Sequence, residues 1–268
     1  MRSYGSLYNH RKGRGSDSMR KIIIPVIFLI VLIAIWEGTT RLFQIETWIL
    51  PAPSVIALEA IMNWSNYQEH IGSTVLLTIF GLVIGVSIGL FMAVILHLLP
   101  FVRQMVYPLL LLSQNIPIIV LAPLLVIWFG YGTLPKIIII TLVCFFPITI
   151  AALDGFRQTN RELIHYMKMA GATKQQMFLK LELPHALPSI FSGLKIAATY
   201  SVMGAVISEW LGASKGIGVY MTLASSSFRT DRVFVAITLI IILCFIFFGL
   251  IILAERFVLR WQYAKGEK

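Results

Sequence analysis

The sequence predicts an all-α membrane protein with about six transmembrane helices. Three observations carry this. Of the 268 residues, 58% are hydrophobic and 13% are charged, against about half and about a quarter in a soluble domain. The apolar residues fall in runs close to the roughly 20 residues that a helix needs to cross a bilayer. The remaining charge collects between those runs and at the ends. Six spans use roughly 120 residues, which leaves no room for a large domain outside the membrane. A soluble enzyme, a secreted disulfide scaffold and a single-anchor protein are thereby excluded.

Residues 1–20 are polar and basic, with Arg2, Arg11, Lys12, Arg14 and Arg20, and read as a flexible tail. The first span is expected over 21–42. A signal peptide would also place a basic stretch before an apolar run, but Glu37-Gly38-Thr39-Thr40-Arg41 offers no small-residue cleavage site, so the segment reads as uncleaved. After Leu50-Pro51-Ala52-Pro53, Ser54 is a good N-cap. Val55, Leu58, Ile61 and Met62 then follow at helical spacing. The spacing predicts an amphipathic helix over 55–64, lying along one membrane surface. It completes a unit of 21–70 ahead of a transmembrane core of 71–257.

Within that core the second span is expected over 71–99, stopping at Pro100. The third is expected over 104–129, interrupted at Asn115-Ile116-Pro117. Gly130-Tyr131-Gly132-Thr133 is a turn, and the fourth span follows over 135–155. The fifth is expected over 189–211 and the sixth over 233–257, separated by a Gly- and Ser-rich stretch in which Gly216-Ile217-Gly218 marks a tight turn. Residues 258–268 form a short basic tail.

The net charge of +10 would point to nucleic acid in a soluble protein. Here the bias of Lys and Arg toward one side of the membrane explains it better, and no nucleic-acid partner is expected. The N-terminal tail, Arg103, the 156–188 loop and the C-terminal tail hold most of the 22 Lys and Arg residues. Arg41, Lys136, Lys215, Arg229 and Arg232 fall on the other side. Both termini and the 156–188 loop are therefore expected in the cytoplasm. Cys144 and Cys244 lie in apolar runs and read as small core residues. The five histidines lack the close pairing a metal helix needs, so no metal is expected.

Within the loop, two short helices are expected at 159–182. Thr159 and Glu162 fit a capping box for a helix to about Ala170, and Gly171 supplies a left-handed turn. Thr173 and Gln176 fit a second box, for a helix to about Leu181 that Pro184 ends. A rigid helical pair suits docking onto a partner; a compact connector is the plainer alternative.

Inside the spans, Gly81, Gly85 and Gly89 form a small-residue face, read as packing within the subunit. Ser113, Gln114 and Asn115 precede Pro117 and either repair the kink or give the path a polar lining. Glu209, after Ser208, is a carboxylate at membrane depth. It is either a gate or an interfacial group paired with a Lys or Arg beyond the span. Asp154 and Arg157 are spaced for a surface pair.

Gly171, nine residues, then Leu181-Glu182-Leu183-Pro184 resembles the cytoplasmic signature of ABC importer permeases. That signature is Glu-Ala-Ala, three residues, Gly, nine residues, Ile-x-Leu-Pro; this chain departs from it with His165-Tyr166-Met167. Leu50-Pro51-Ala52-Pro53-Ser54 and Ala186-Leu187-Pro188 extend the likeness over most of the chain. The resemblance implies a multi-pass protein of the bacterial inner (plasma) membrane that imports a small solute by ATP-driven alternating access. It implies a homodimer bound to two ATPase subunits, served by an extracytoplasmic substrate-binding protein. ATP and Mg would be bound by the ATPases and no cofactor by this chain. In agreement, the sequence has no Gly-x-x-x-x-Gly-Lys-Ser/Thr loop to cradle phosphates.

The coupling residues so implied are His165, Tyr166, Met167, Lys168, Ala170, Gly171, Ala172, Thr173 and Lys174. The translocation path would include Ser113, Gln114, Asn115, Ser208 and Glu209. Ser192-Gly193-Leu194-Lys195-Ile196-Ala197 and Gly204 to Ala213 look most like permeases for the pyrimidine precursor of thiamine. Sulfonate, taurine or nitrate import is the alternative substrate class. An ion-driven transporter would need several intramembrane carboxylates in repeated halves. Only Glu209, Asp154 and Glu37 qualify, and no repeat is visible. An intramembrane enzyme would need a catalytic grouping, and no His-Glu-x-x-His motif occurs.

Overall fold

The computed structural model describes residues 9–260, with side chains from residue 23 onward. Every regular element among the described residues is helical, as expected where lipid offers backbone groups no water to bond. In chain order they are α1 (Asn9–Leu42), α2 (Pro53–Met62), α3 (Trp64–Leu98), α4 (Pro100–Ser113), α5 (Ile118–Phe129), α6 (Thr133–Arg157), α7 (Arg161–Met169), α8 (Lys174–Met177), α9 (Leu183–Glu209), α10 (Ile217–Ser226) and α11 (Thr230–Val258). A π-helical turn, Phe178–Glu182, joins α8 to α9. Five helices are long and apolar enough to cross a membrane; α4 and α5 pass the same test only when taken together, and they are bent by 100° at the break between them, the geometry of a broken span or a re-entrant loop.

The centre of the bundle is α6, with α3 on one flank and α9 on the other. Both contacts are close enough that a side chain would not fit. A Cβ on Gly81 would overlap Ile140, one on Gly85 would sit 2.7 Å from Cys144 Cβ, and one on Gly89 would sit 3.0 Å from the Phe145 carbonyl oxygen. Gly193 of α9 meets α6 the same way, with 2.6 Å to Ala151 Cβ and 3.0 Å to the Pro147 carbonyl oxygen. The small-residue face of the second span therefore packs within the subunit. Ile140, Cys144 and Ile148 fill the middle of the core against Ala197, Ala198, Val202 and Ala205. Leu153 and Phe156 continue it toward α7, against Ala93, Leu96, Ala186 and Ile190. Cys144 and Cys244 are free thiols.

Around this core, α1 stands largely apart, with its side chains from Ile23 to Ile35 exposed. Its end is tied to α2 by Glu37, which accepts from the Ser54 hydroxyl (2.8 Å) and the Ser54 amide (3.0 Å). Glu59 on α2 pairs with Arg232 (2.9 Å) and Arg229 (3.4 Å) at the start of α11. Lys195 on α9 pairs with Glu255 on α11 (2.7 Å).

Several expected boundaries are corrected. The α1 backbone reaches back to Asn9, into the stretch expected as a flexible tail, because extending an existing helix adds one hydrogen bond for each residue fixed. Residues 1–8 and 261–268, also expected as tails, lie outside the described residues. Ser54 is inside α2, not its N-cap: Pro53 takes the first turn, where its missing N–H costs nothing, and Ala52 precedes it. The second span starts earlier than expected, at Trp64. The Gly- and Ser-rich stretch contains a full helix, α10, which packs on α9 and α11. Asp154 and Arg157 form no ion pair with each other.

The packing generates a paired prediction. Gly85→Leu forces α3 off α6, at about 1–3 kcal/mol for overpacking a close contact. Gly72→Leu, where a Cβ meets nothing within 4 Å, is neutral. Thermal unfolding in detergent should place Gly85→Leu several degrees below the parent and Gly72→Leu level with it.

Candidate functional site

The segment from 159 to 182 forms a cap on one end of the bundle. Asn160 is the N-cap of α7, its side-chain oxygen accepting from the Glu162 amide at 2.8 Å. The expected Thr159–Glu162 box does not form: Thr159 lies one residue too early, and its hydroxyl is buried without a partner. Gly171 has φ +77°, the left-handed turn that glycine tolerates best. The second capping box forms as expected. Thr173 Oγ1 accepts from the Gln176 amide (3.2 Å), and Gln176 Oε1 accepts from the Thr173 amide (2.9 Å).

No residue of α7 is buried. Leu163, Tyr166 and Met169, spaced three apart, are exposed on adjacent positions of one helix face, Tyr166 at 67% and Met169 at 81%. His165, Lys168, Ala170, Gly171, Thr173 and Lys174 are exposed beside them, with Met167 and Ala172 half-buried. All nine candidate coupling residues thus lie together on this cap. A nine-residue helix with an apolar exposed face and no fully buried residue is shaped for a partner.

Pro184 does not end the second helix. The backbone runs from α8 through the π turn into α9 as one helix of 36 residues, Lys174–Glu209. In an α-helix the proline ring would meet the carbonyl four residues back. Here the turn is wider: the Leu183 amide donates to Phe178 O, five residues back, and Pro184 falls in the first turn of α9. The cap and the fifth span are therefore mechanically continuous, and the only left-handed break in the cap is the turn at Gly171.

At the far end of the same helix sits Glu209, 1% exposed. Its Oε1 accepts from the Thr74 hydroxyl on α3 (2.7 Å), and its Oε2 from the Gly218 amide (2.7 Å). The preceding amides are also held: Ile217 donates to Thr74 Oγ1 (2.9 Å) and Gly216 to His70 Nδ1 (3.0 Å). Three amides at the start of α10 thus bond to α3 and α9, where a helix N-terminus favours a carboxylate. Gly216 and Gly218 permit it, because a Cβ on Gly216 would overlap the Glu209 carboxylate and one on Gly218 would sit 2.5 Å from Val206 O. Glu209 makes no ion pair among the described residues. Ser208 is fully buried and donates to Ala205 O (2.7 Å). Neither is on an open surface of the subunit; both face neighbouring helices.

The other path candidates lie at the bend between α4 and α5. Asn115 Nδ2 donates to Leu111 O (2.7 Å), which repairs a carbonyl freed near the bend, while Ser113 Oγ donates to Leu110 O (3.0 Å), which also accepts from the Gln114 amide. Gln114 is exposed and its side chain bonds to nothing among the described residues. The structure does not bring this bend into contact with Glu209. Sequence reasoning missed Thr74, His70, His97 and Glu182 as polar partners. Thr74 pairs with a residue 135 positions away and His97 with one 85 away, and no local pattern signals either.

Residues 85–260 match a family described as "Binding-protein-dependent transport system inner membrane component". The chain is 35% identical over 239 residues to the "Formylaminopyrimidine transport permease protein ThiX" of Halalkalibacterium halodurans, covering 89% of this chain and 95% of that protein. It is 29% identical to the "Riboflavin transport system permease protein RibX" of Chloroflexus aurantiacus, covering 89% and 90%. It is 29% identical to the "Taurine transport system permease protein TauC" of Escherichia coli, covering 85% of each.

The Glu209 knot is testable. A glutamine offers one acceptor oxygen where the carboxylate offers two, so either the Thr74 hydroxyl or the Gly218 amide loses its partner, at about 1–3 kcal/mol. In a background lacking Cys144 and Cys244, Ile217→Cys should label slowly with a maleimide. Adding Glu209→Gln should raise that rate about tenfold or more.

Proposed function

The chain belongs to the binding-protein-dependent transport system inner-membrane component family, and we propose that its α7–α8 cap is the element through which an ATPase drives it. It is a permease subunit of an ABC importer in the plasma membrane, and members of its family work with ATPase subunits and a substrate-binding protein. The single observation that carries the proposal is the continuous helix Lys174–Glu209, which begins at the exposed cap and crosses the bundle. A force applied at α8 enters α9 along unbroken helix, with Pro188 in its interior, and one applied at α7 first crosses the Gly171 turn. Leu163, Tyr166 and Met169 are the face offered to the ATPase.

In this reading the α7 end faces the cytoplasm, with both termini on that side, and the chain works as a homodimer with two ATPases. The ATPases hold ATP and Mg; this chain holds no cofactor. ATP binding draws the two caps together, the α9 helices turn the path toward the binding protein, and hydrolysis resets it. Inverting a tenfold preference between the two states takes about 2.7 kcal/mol. Gln114, unbonded at the α4–α5 bend, is the side chain best placed to meet solute. Ser208 and Glu209 act from behind the path wall by fixing α10.

The substrate proposed is a pyrimidine related to the thiamine precursor. It is supported by the 35% identity to a formylaminopyrimidine permease and by the sequence likeness from Ser192 to Ala213. A sulfonate such as taurine is the second reading, supported by the 29% relative.

The test is co-purification of the tagged permease in mild detergent followed by reconstitution with what accompanies it. An ATPase should co-purify, and its binding protein should bind formylaminopyrimidine in preference to taurine. Lys174→Glu reverses a charge on the docking face, and Met169→Pro, at the last residue of α7, disrupts its final turn before Gly171. Each should leave the ATPase active but cut solute uptake per ATP at least about tenfold. Unchanged uptake in both variants contradicts docking through this cap.

A further inference from the structure

The π turn that joins the cap to α9 is also tied to α3. Glu182, the last residue of that turn, accepts from His97 Nε2 at 2.8 Å, and His97 is one residue from the end of α3. Nε2–H is the donor, because a carboxylate only accepts. Both side chains are mostly enclosed, 15% and 17% exposed. The imidazole lies against Phe156 of α6, ring centroids 4.8 Å apart, and Phe178 of the π turn, 5.9 Å. Its Nδ1 is buried and has no partner, so the carboxylate is the ring's one polar anchor among the described residues. A polar pair mostly enclosed by an apolar cluster holds its geometry, since breaking it leaves both groups poorly solvated.

At the opposite end, Thr74 of the same α3 bonds Glu209 of the same α9 helix (2.7 Å). The two antiparallel helices are therefore clamped near both ends. Helices α3 and α9 also share α6 between them, on glycine and alanine faces where Thr149 of α6 donates to the Gly89 carbonyl of α3 (3.2 Å) and Cys144 Sγ to the Ala197 carbonyl of α9 (3.5 Å). Those mid-bundle bonds tie each helix to α6, whereas the two end clamps join α3 and α9 to each other directly. A wide turn carrying a functional side chain also fits the common occurrence of π-bulges at functional sites.

We infer that His97 and Glu182 are positioning residues that transmit the displacement of the α7–α8 cap to α3, so that α3 and α9 move together during transport. The inference rests on the reading of that cap as the ATPase docking element. The pair sits where cap, α3, α6 and α9 converge, and it is the polar link between the cap's π turn and α3.

The experiment uses the complete complex of permease, ATPase and binding protein in proteoliposomes, with Cys144 and Cys244 replaced. Spin labels at Phe91→Cys on α3 and Tyr200→Cys on α9, both exposed positions, report distances between the two permease copies. Distances are compared without nucleotide and after trapping with ATP and vanadate. In the parent both labels shift. With His97→Leu the α9 label still shifts and the α3 shift is lost. The exchange His97→Glu with Glu182→His restores it, which traces the loss to the missing pair, and the α9 shift retained in His97→Leu is what a merely structural role would not leave. If His97→Leu does not assemble, Glu182→Ala removes only the carboxylate and carries the same test. An α3 shift in His97→Leu equal to the parent's overturns the inference, as does an exchange variant that assembles without restoring the shift. If nucleotide moves neither label in the parent, the docking reading fails first, and the two failures are thereby told apart.

Discussion

The helical ladder from Lys174 to Glu209 is the constraint on which the rest depends. Its 36 residues span roughly 54 Å at the α-helical rise, enough to reach from a cap outside the bundle to the far side of a bilayer. One end carries the exposed face of α7 and α8; the other carries the carboxylate that holds α10. A loop in place of the π turn would let the cap move without consequence. A plain α-helix could not accommodate Pro184 without a kink. The wider turn lets the helix begin early and still present Pro184 in a tolerated first-turn position.

The glycine contacts complement this. With Gly81, Gly85 and Gly89 of α3 and Gly193 of α9 pressed on α6, the bundle is held by close backbone approach. Such faces set spacing more than register. Register is set by a few bonds: Thr74 with Glu209 at one end, His97 with Glu182 at the other, Thr149 with the Gly89 carbonyl and Cys144 with the Ala197 carbonyl between them, and Lys195 with Glu255 between α9 and α11. A transporter that alternates between two states needs elements that are stiff within and separable between, and small-residue faces with terminal clamps supply that division.

Much of this was legible in the sequence. Five of the six spans, the interruption near Pro117, the Gly171 turn and the Thr173 box follow from local chemistry, and each formed. Where local rules competed, the sequence misled. Thr159 and Asn160 are both good caps, and the residue adjacent to Arg161 won. Ser54 has cap chemistry, but Pro53 claimed the first helical position and Glu37 claimed the hydroxyl. Pro184 is a helix breaker by rule, yet the helix runs through it beside the π turn, as it also runs through Pro188. Glu209 was recognisable as an anomaly, but its partners were not. Gly216 and Gly218 read as a turn when they are the clearance for its carboxylate.

The most direct test of the continuous helix is hydrogen exchange of the backbone amides over residues 178–183, measured in the assembled complex without nucleotide and with ATP trapped. The account predicts slow exchange in both states, matching the α9 amides that follow. Exchange as fast as that of the Gly171–Thr173 turn, in either state, would make the π turn a hinge and contradict the account.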